Sequence, residues 1–175
     1  MLNSDRSKLA QYDQLSRPDE GYYAVKAFVE RELQLLDDSA FAEWLKLFSA
    51  QGIYWVPIHR GQKSPLEHVS LFYDDRERMR TRVERLLHPM IHTQTPPSRT
   101  CRMLSAIRVE APEEGTHILT AKYFMSEYRP GHPQRHYAGD IEYRLSGPRD
   151  QLAIDLKKLT LINADGVFPA LAVPF

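Results

Sequence analysis

RMLSAIRVEAPEEGTHILTAKYFMSEYRPGHPQRHYAGDIEYRLSGPRDQLAIDLKKLTLIN, residues 102–163, decides the fold. The turn-forming clusters PEEG, PGHP and SGPRD cut it into four segments rich in branched and aromatic residues. Long segments joined by such short turns pair as an antiparallel meander, here over 102–110, 116–129, 135–145 and 151–163. In the third, Tyr137, Gly139, Ile141, Tyr143 and Leu145 alternate with Ala138, Asp140, Glu142 and Arg144, so one face turns inward. In the fourth, Leu152, Ile154 and Leu156 hold one phase and Leu159 and Leu161 the other. Either a bulge near Lys157–Lys158 re-aims the chain or both faces are covered. The second is apolar in both phases, with Ile118, Phe124 and Tyr128 on one face and Leu119, Ala121, Tyr123 and Met125 on the other. A sheet face left to water is more polar than this, so one face is expected to meet another protein chain.

Upstream the pattern is helical. Val25, Phe28, Val29, Leu33 and Leu36 recur at helical spacing from Tyr22 to about Asp37. Phe41, Trp44, Leu45 and Phe48 mark a second short helix, with Gly52 as its stop. IYWVPI (53–58) reads as a strand closed by Pro57. DDRERMRTRVERLL (74–87) reads as a third helix, with i,i+4 pairs Asp74/Arg78 and Arg80/Glu84, ended by Pro89. HTQTPPSRT (92–100) reads as irregular. Residues 1–21 are a polar arm, flexible or laid on a partner, and 22–175 form one domain. Its tail, GVFPALAVPF (166–175), has no charge and is expected to lie buried against a neighbour. Helices first and then a long meander predict an α+β, cone-like domain, the sheet curling round the helices.

Charge excludes several partners. In 175 residues, 23 basic groups balance 23 acidic ones, so no global field favours nucleic acid or an anionic membrane. No apolar run approaches the ~20 residues of a membrane span, and the first residues carry no apolar leader, which predicts a cytoplasmic protein. Cys101 is the single cysteine, so an internal disulfide is excluded.

Catalytic signals are weak. His88/His92 and His132/His136 are each four apart, but Pro89 and Pro133 deny them an intact helix, and no third ligand follows at a telling spacing. Phosphate-binding glycine loops and a nucleophile elbow are missing from the sequence. Arg76, Arg78, Arg80, Arg82 and Arg85 are interrupted by acids and read as a solvated face. One enzymatic alternative survives: a free-standing cone-fold dehydratase or isomerase using an Asp/His pair, His68 with Asp140 or His92 with Asp74.

Five stretches carry a resemblance: FAEWLKLFSAQGIYWVPI (41–58), SLFYDDRERMRTRVERLLH (70–88), TQTPPSRTCRMLSAIRVE (93–110), YAGDIEYRL (137–145) and LAIDLKKLTLINAD (152–165). The ordered set is an acid before Trp44, then Tyr54-Trp55-Val56-Pro57, Asp74-Asp75, Pro97-Ser98-Arg99-Thr100, Tyr137-x-Gly139, and Lys158 with Ile162-Asn163. It resembles the beta (small) subunit of aromatic-ring-hydroxylating dioxygenases, the Rieske non-haem iron oxygenase systems. The resemblance implies the cone-shaped nuclear transport factor 2-like fold, with N-terminal helices packed in a strongly curved antiparallel sheet. It implies a non-catalytic structural subunit that trimerises and holds alpha subunits in an α3β3 hexamer.

By the same resemblance, the partner alpha subunit carries a Rieske [2Fe–2S] cluster and mononuclear Fe(II), hydroxylating aromatic rings with O₂ and NADH-derived electrons. Ferredoxin and/or reductase are linked only indirectly. No catalytic, cofactor-binding or metal residue is expected in this chain, which lacks the paired Cys and His ligands of a Rieske centre. Structural or subunit-interface roles are implied for Trp44, Tyr54, Trp55, Pro57, Asp74, Asp75, Arg99, Tyr137, Gly139, Lys158, Ile162 and Asn163, and for Phe168 and Phe175 in the tail.

Overall fold

The computed structural model describes residues 20–88, 96–168 and 173–175. Helix α1 (Glu20–Asp37) buries Val25, Val29, Leu33 and Leu36, the stripe its spacing predicts, together with Glu32. Its break is local: Ser39 takes φ 58°, and the N–H groups of Asp38, Ser39 and Ala40 return to carbonyls of the last turn. Helix α2 (Phe41–Lys46) follows, and strand β1 (Phe48–Pro57) starts almost at once. Gly52 is therefore inside a strand and not a helix stop. A Cβ there would lie 2.6 Å from the Ile154 carbonyl oxygen, so the position requires glycine where two strands close up.

Strand β2 (Ser70–Asp74), which sequence periodicity does not announce, precedes helix α3 (Arg76–Leu87). Asp75 caps α3, its carboxylate accepting the Arg78 N–H at 2.9 Å. The helix thus begins two residues later than predicted, and Asp74 pairs with Arg82 instead of Arg78. The meander follows as β3 (Arg99–Glu113), β4 (Thr116–Tyr128), β5 (Arg135–Ser146) and β6 (Ala153–Leu161). Residues 99 and 100, read as irregular, already belong to β3.

The strand order β2-β1-β6-β5-β4-β3 corrects the expected sheet. Among the described residues it is open, with β2 and β3 at its edges, and it is mixed, because β1 runs parallel to β6. A strongly curved, wholly antiparallel sheet closing round the helices is not what forms. The reason is that short turns declare antiparallel neighbours, whereas the β1–β6 pairing joins segments about a hundred residues apart and has no local signature. The alternative of a bulge in the last strand is realised, but at Asp155: Leu145 opposes Ile154 while Arg144 opposes Leu156. The extra residue turns Lys157, Leu159 and Leu161 inward. Helices and inward strand residues share one core.

Candidate functional site

The bulge places a lysine where an apolar side chain is normal. Lys157 and Glu32 are both completely buried, with Nζ 2.8 Å from Oε1. The carboxylate also accepts the Trp44 indole N–H and, at 2.9 Å, the Tyr143 hydroxyl. Around the ammonium stand the rings of Trp44, Tyr54 and Tyr143, with centroids 5.8–6.0 Å away. Its second acceptor is the Phe175 carbonyl oxygen at 2.6 Å. Beside this cluster, Arg102 pairs with Asp37 at the end of α1, and Asp37 also accepts the Thr100 hydroxyl and the Arg102 N–H, each at 2.9 Å. Two buried cations fasten α1 to β3 and β6, and the Tyr143 hydroxyl adds β5; among the described residues the buried Arg102 Nε has no hydrogen-bond partner.

Burial shifts the titration of these groups. Desolvation lowers the Lys157 pKa from 10.5, and the nearby Glu32 charge opposes that change. Tyr54, Tyr123 and Tyr143 move the other way, each raised above 10.0 chiefly because burial penalises the phenolate. The native state thus keeps phenolic protons that the unfolded chain gives up, and stability present below pH 10 is lost as pH rises beyond it. Lys157 has the opposite sign, adding stability with pH only between its lowered value and 10.5. Above that, the three tyrosines govern. In an alkaline titration, part of the ultraviolet tyrosinate signal should appear only with the loss of circular dichroism; complete ionisation of all nine tyrosines before unfolding would contradict their burial.

The residues singled out by sequence divide between the two faces of the sheet. Trp44, Tyr54, Tyr137 and Phe175 lie in the core. Trp55, buried outside that core cluster, donates its indole N–H to Ser70 Oγ at 3.0 Å and carries Lys158 over its ring at 4.2 Å. Pro57 ends β1 opposite Ser70. Asp74 is buried and pairs with the half-buried Arg82, and Asp75 caps α3. Arg99 is exposed at the start of β3, opposite Tyr128. Gly139 lies flush against β6. Ile162 and Asn163 follow β6 in an exposed turn, and Phe168 packs against the core rim.

The Asp/His pairs of the enzymatic alternative are not assembled among the described residues. His68 meets the His59 ring edge-on at 5.2 Å, and Asp140 faces outward to Lys122 and Arg60. His92 lies outside the described residues.

The outward face has an apolar row. Met103, Phe124 and Ala138 are directly opposed on β3, β4 and β5, and the Ile162 N–H continues the line by bonding the Ala138 carbonyl at 2.9 Å. Met103 is 54% exposed, Ile162 61%, and Tyr128, four residues along β4 from Phe124, 44%. Further along the same face the rows turn polar, with Lys122, Asp140, Glu142 and Lys158. Sequence reasoning reached Phe124, Tyr128 and Ile162 but missed Met103, whose strand partner only the register reveals. It also missed Glu32, although that position shares the apolar stripe of α1, three residues after Val29 and four before Leu36. An acid on such a stripe signals a buried partner.

Helices layered on an open mixed sheet around one core make this an NTF2-like α+β domain, and comparison with known proteins places it further. Residues 31–165 match the family model of the ring hydroxylating beta subunit, and the chain belongs to that family. It is 32% identical to the small oxygenase component of the p-cumate 2,3-dioxygenase system of Pseudomonas putida, over 78% of this chain and 77% of that one. It is 29% identical to the 2-halobenzoate 1,2-dioxygenase small subunit of Burkholderia cepacia, over 83% and 90%. The crystal structure of the benzoate 1,2-dioxygenase beta subunit of Burkholderia mallei superposes with a TM-score of 0.68 at 25% identity, covering 85% of this chain and 94% of that one. Naphthalene 1,2-dioxygenase, at 16% identity and TM-score 0.70 over 92% and 93%, shares the fold. As a family member the chain is the small subunit of an aromatic-ring-hydroxylating dioxygenase complex and associates with an alpha oxygenase subunit.

Proposed function

We propose that this chain is the scaffold of that complex: three copies form a base on which three iron-bearing alpha subunits stand in an α3β3 hexamer. The apolar row Met103–Phe124–Ala138–Ile162 carries the reading, because it is a ready contact surface on the face away from the helices. The iron centres belong to the alpha partner. A Rieske cluster needs two thiolates and two imidazoles, and the sequence has one cysteine, so its residues do not fit that group. Among the described residues, no group of three or more His, Cys, Asp or Glu could hold a metal ion. What a rigid base contributes is register between neighbouring alpha chains, on which electron transfer from a Rieske centre to a neighbour's iron depends. Ferredoxin or reductase would then meet the alpha subunits, not this chain.

The test is Met103→Glu with Ile162→Glu, co-expressed with the partner subunit. Both side chains are exposed in the single chain, so its circular dichroism should be unchanged while the native mass of the complex collapses. Any hexamer that remains should turn over within about threefold of the parent per iron. An intact hexamer, or intact hexamers that have lost turnover, would refute the scaffold role.

A further inference from the structure

The two residues Pro174 and Phe175 lie in the interior without belonging to any helix or strand. They are held there by side chains from distant parts of the chain. The Phe175 ring is fully buried, edge-on to Tyr137 at 4.9 Å and to Phe72 at 5.9 Å. Its N–H donates to the Tyr54 hydroxyl oxygen at 3.0 Å, and its carbonyl oxygen accepts from Lys157. One residue earlier, the Pro174 carbonyl accepts from Arg102 at 2.6 Å.

The groups that hold this segment are themselves held by something else. Lys157 is fixed by Glu32, Arg102 by Asp37 and Thr100, and Tyr54 by stacking on Phe72 at 5.6 Å. A set of groups positioned independently of their occupant is preorganised for it, as in a ligand site. We propose that the interior between helices and sheet is a receptor for an aromatic ring carried beside an amide or carboxylate, and that Phe175 is its resident, intramolecular ligand. The chemistry is specific on both sides. The aromatic wall takes a planar ring, while two buried cations aimed at main-chain carbonyls require oxygen acceptors and exclude a bare hydrocarbon from that end. The occupied site closes the interior and supplies Lys157 with its second acceptor. This inference does not depend on how the chain assembles.

Thermal melting of the purified full chain tests it. Phe175→Ala should lower Tm by about 10 °C, and saturating benzene should restore several degrees while leaving the parent unmoved. A chain ending at Val173 should gain Tm with N-acetyl-prolyl-phenylalaninamide and not with its alanine counterpart. A fall of less than about 2 °C for Phe175→Ala overturns the proposal. So does an equal response of the shortened chain to both peptides. If that shortened chain is insoluble, the benzene arm decides, and an unresponsive Phe175→Ala protein overturns it.

Discussion

Glu32→Gln should cost the chain about 3–5 kcal/mol, because it strands a fully buried ammonium. The substituted amide keeps an oxygen for Tyr143 or Trp44, so the loss isolates the charge more than the hydrogen bonds. Lys157 would then lose its charged partner, and desolvation, already lowering its pKa, would be opposed only by the weaker field of Asp37. The double replacement Glu32→Gln/Lys157→Met should therefore be no worse than Glu32→Gln alone. Once the carboxylate is gone, the ammonium is only a liability, and methionine fills a similar volume without it. Denaturant unfolding of the parent, Glu32→Gln, Lys157→Met and the double variant at one fixed concentration measures this coupling. Additive losses, or a single replacement costing under about 1 kcal/mol, would mean that the pair is solvated and the interior wetter than described.

Gly139→Ala should be nearly as damaging, at about 3 kcal/mol, for a purely steric reason. A Cβ on Gly139 would fall on the Thr160 carbonyl and within 3.0 Å of Leu161 Cα. Both obstacles are backbone, in the strand hydrogen-bonded to β5, so no side chain can swing aside; β5 and β6 must part. Gly61 provides the control. Its nearest neighbour would be the His59 ring at 3.7 Å, ordinary contact distance, so Gly61→Ala should stay within about 0.5 kcal/mol. Equal stability of the two variants would contradict the close approach of the strands.

Glycine 139 illustrates what the sequence can and cannot disclose. Its place in a strict alternation was legible, and with it the strand, the inward face and the meander, because each depends on neighbours in the chain. The segments 116–129 and 151–163 contain the strands that form there, the strand at 135–145 runs one residue further to Ser146, and α1 buries the predicted stripe. What was not legible depends on meetings between distant residues. The parallel β1–β6 pair, the short strand β2 at one edge, and the position of the bulge at Asp155 belong to this kind.

The candidate site divides the same way. Tyr54, Trp55 and Ile162 could be singled out from motif and apolarity. That Lys157 points inward follows only from a bulge two residues earlier, and that Glu32 meets it follows only from the packing of α1 across the sheet. The charged pair at the centre of the domain was invisible for that reason, not for want of sequence signal at either residue.

The parallel pairing of β1 with β6 also dictates an order of events during synthesis. Residues 48–57 leave the ribosome early, yet the strand that pairs with one of their edges is 153–161. Until then β1 has only β2 beside it, and Tyr54, Trp55 and Val56 sit on an incomplete ribbon with one edge open. Completion of the open sheet must await residues 153–161, which makes it slow relative to the local hairpins of the meander. The nascent chain therefore passes through a state with a hydrophobic strand edge available to strangers, the moment at which aggregation competes with folding. Expression conditions that slow aggregation without altering stability, such as lower temperature or chaperone supply, act on that interval.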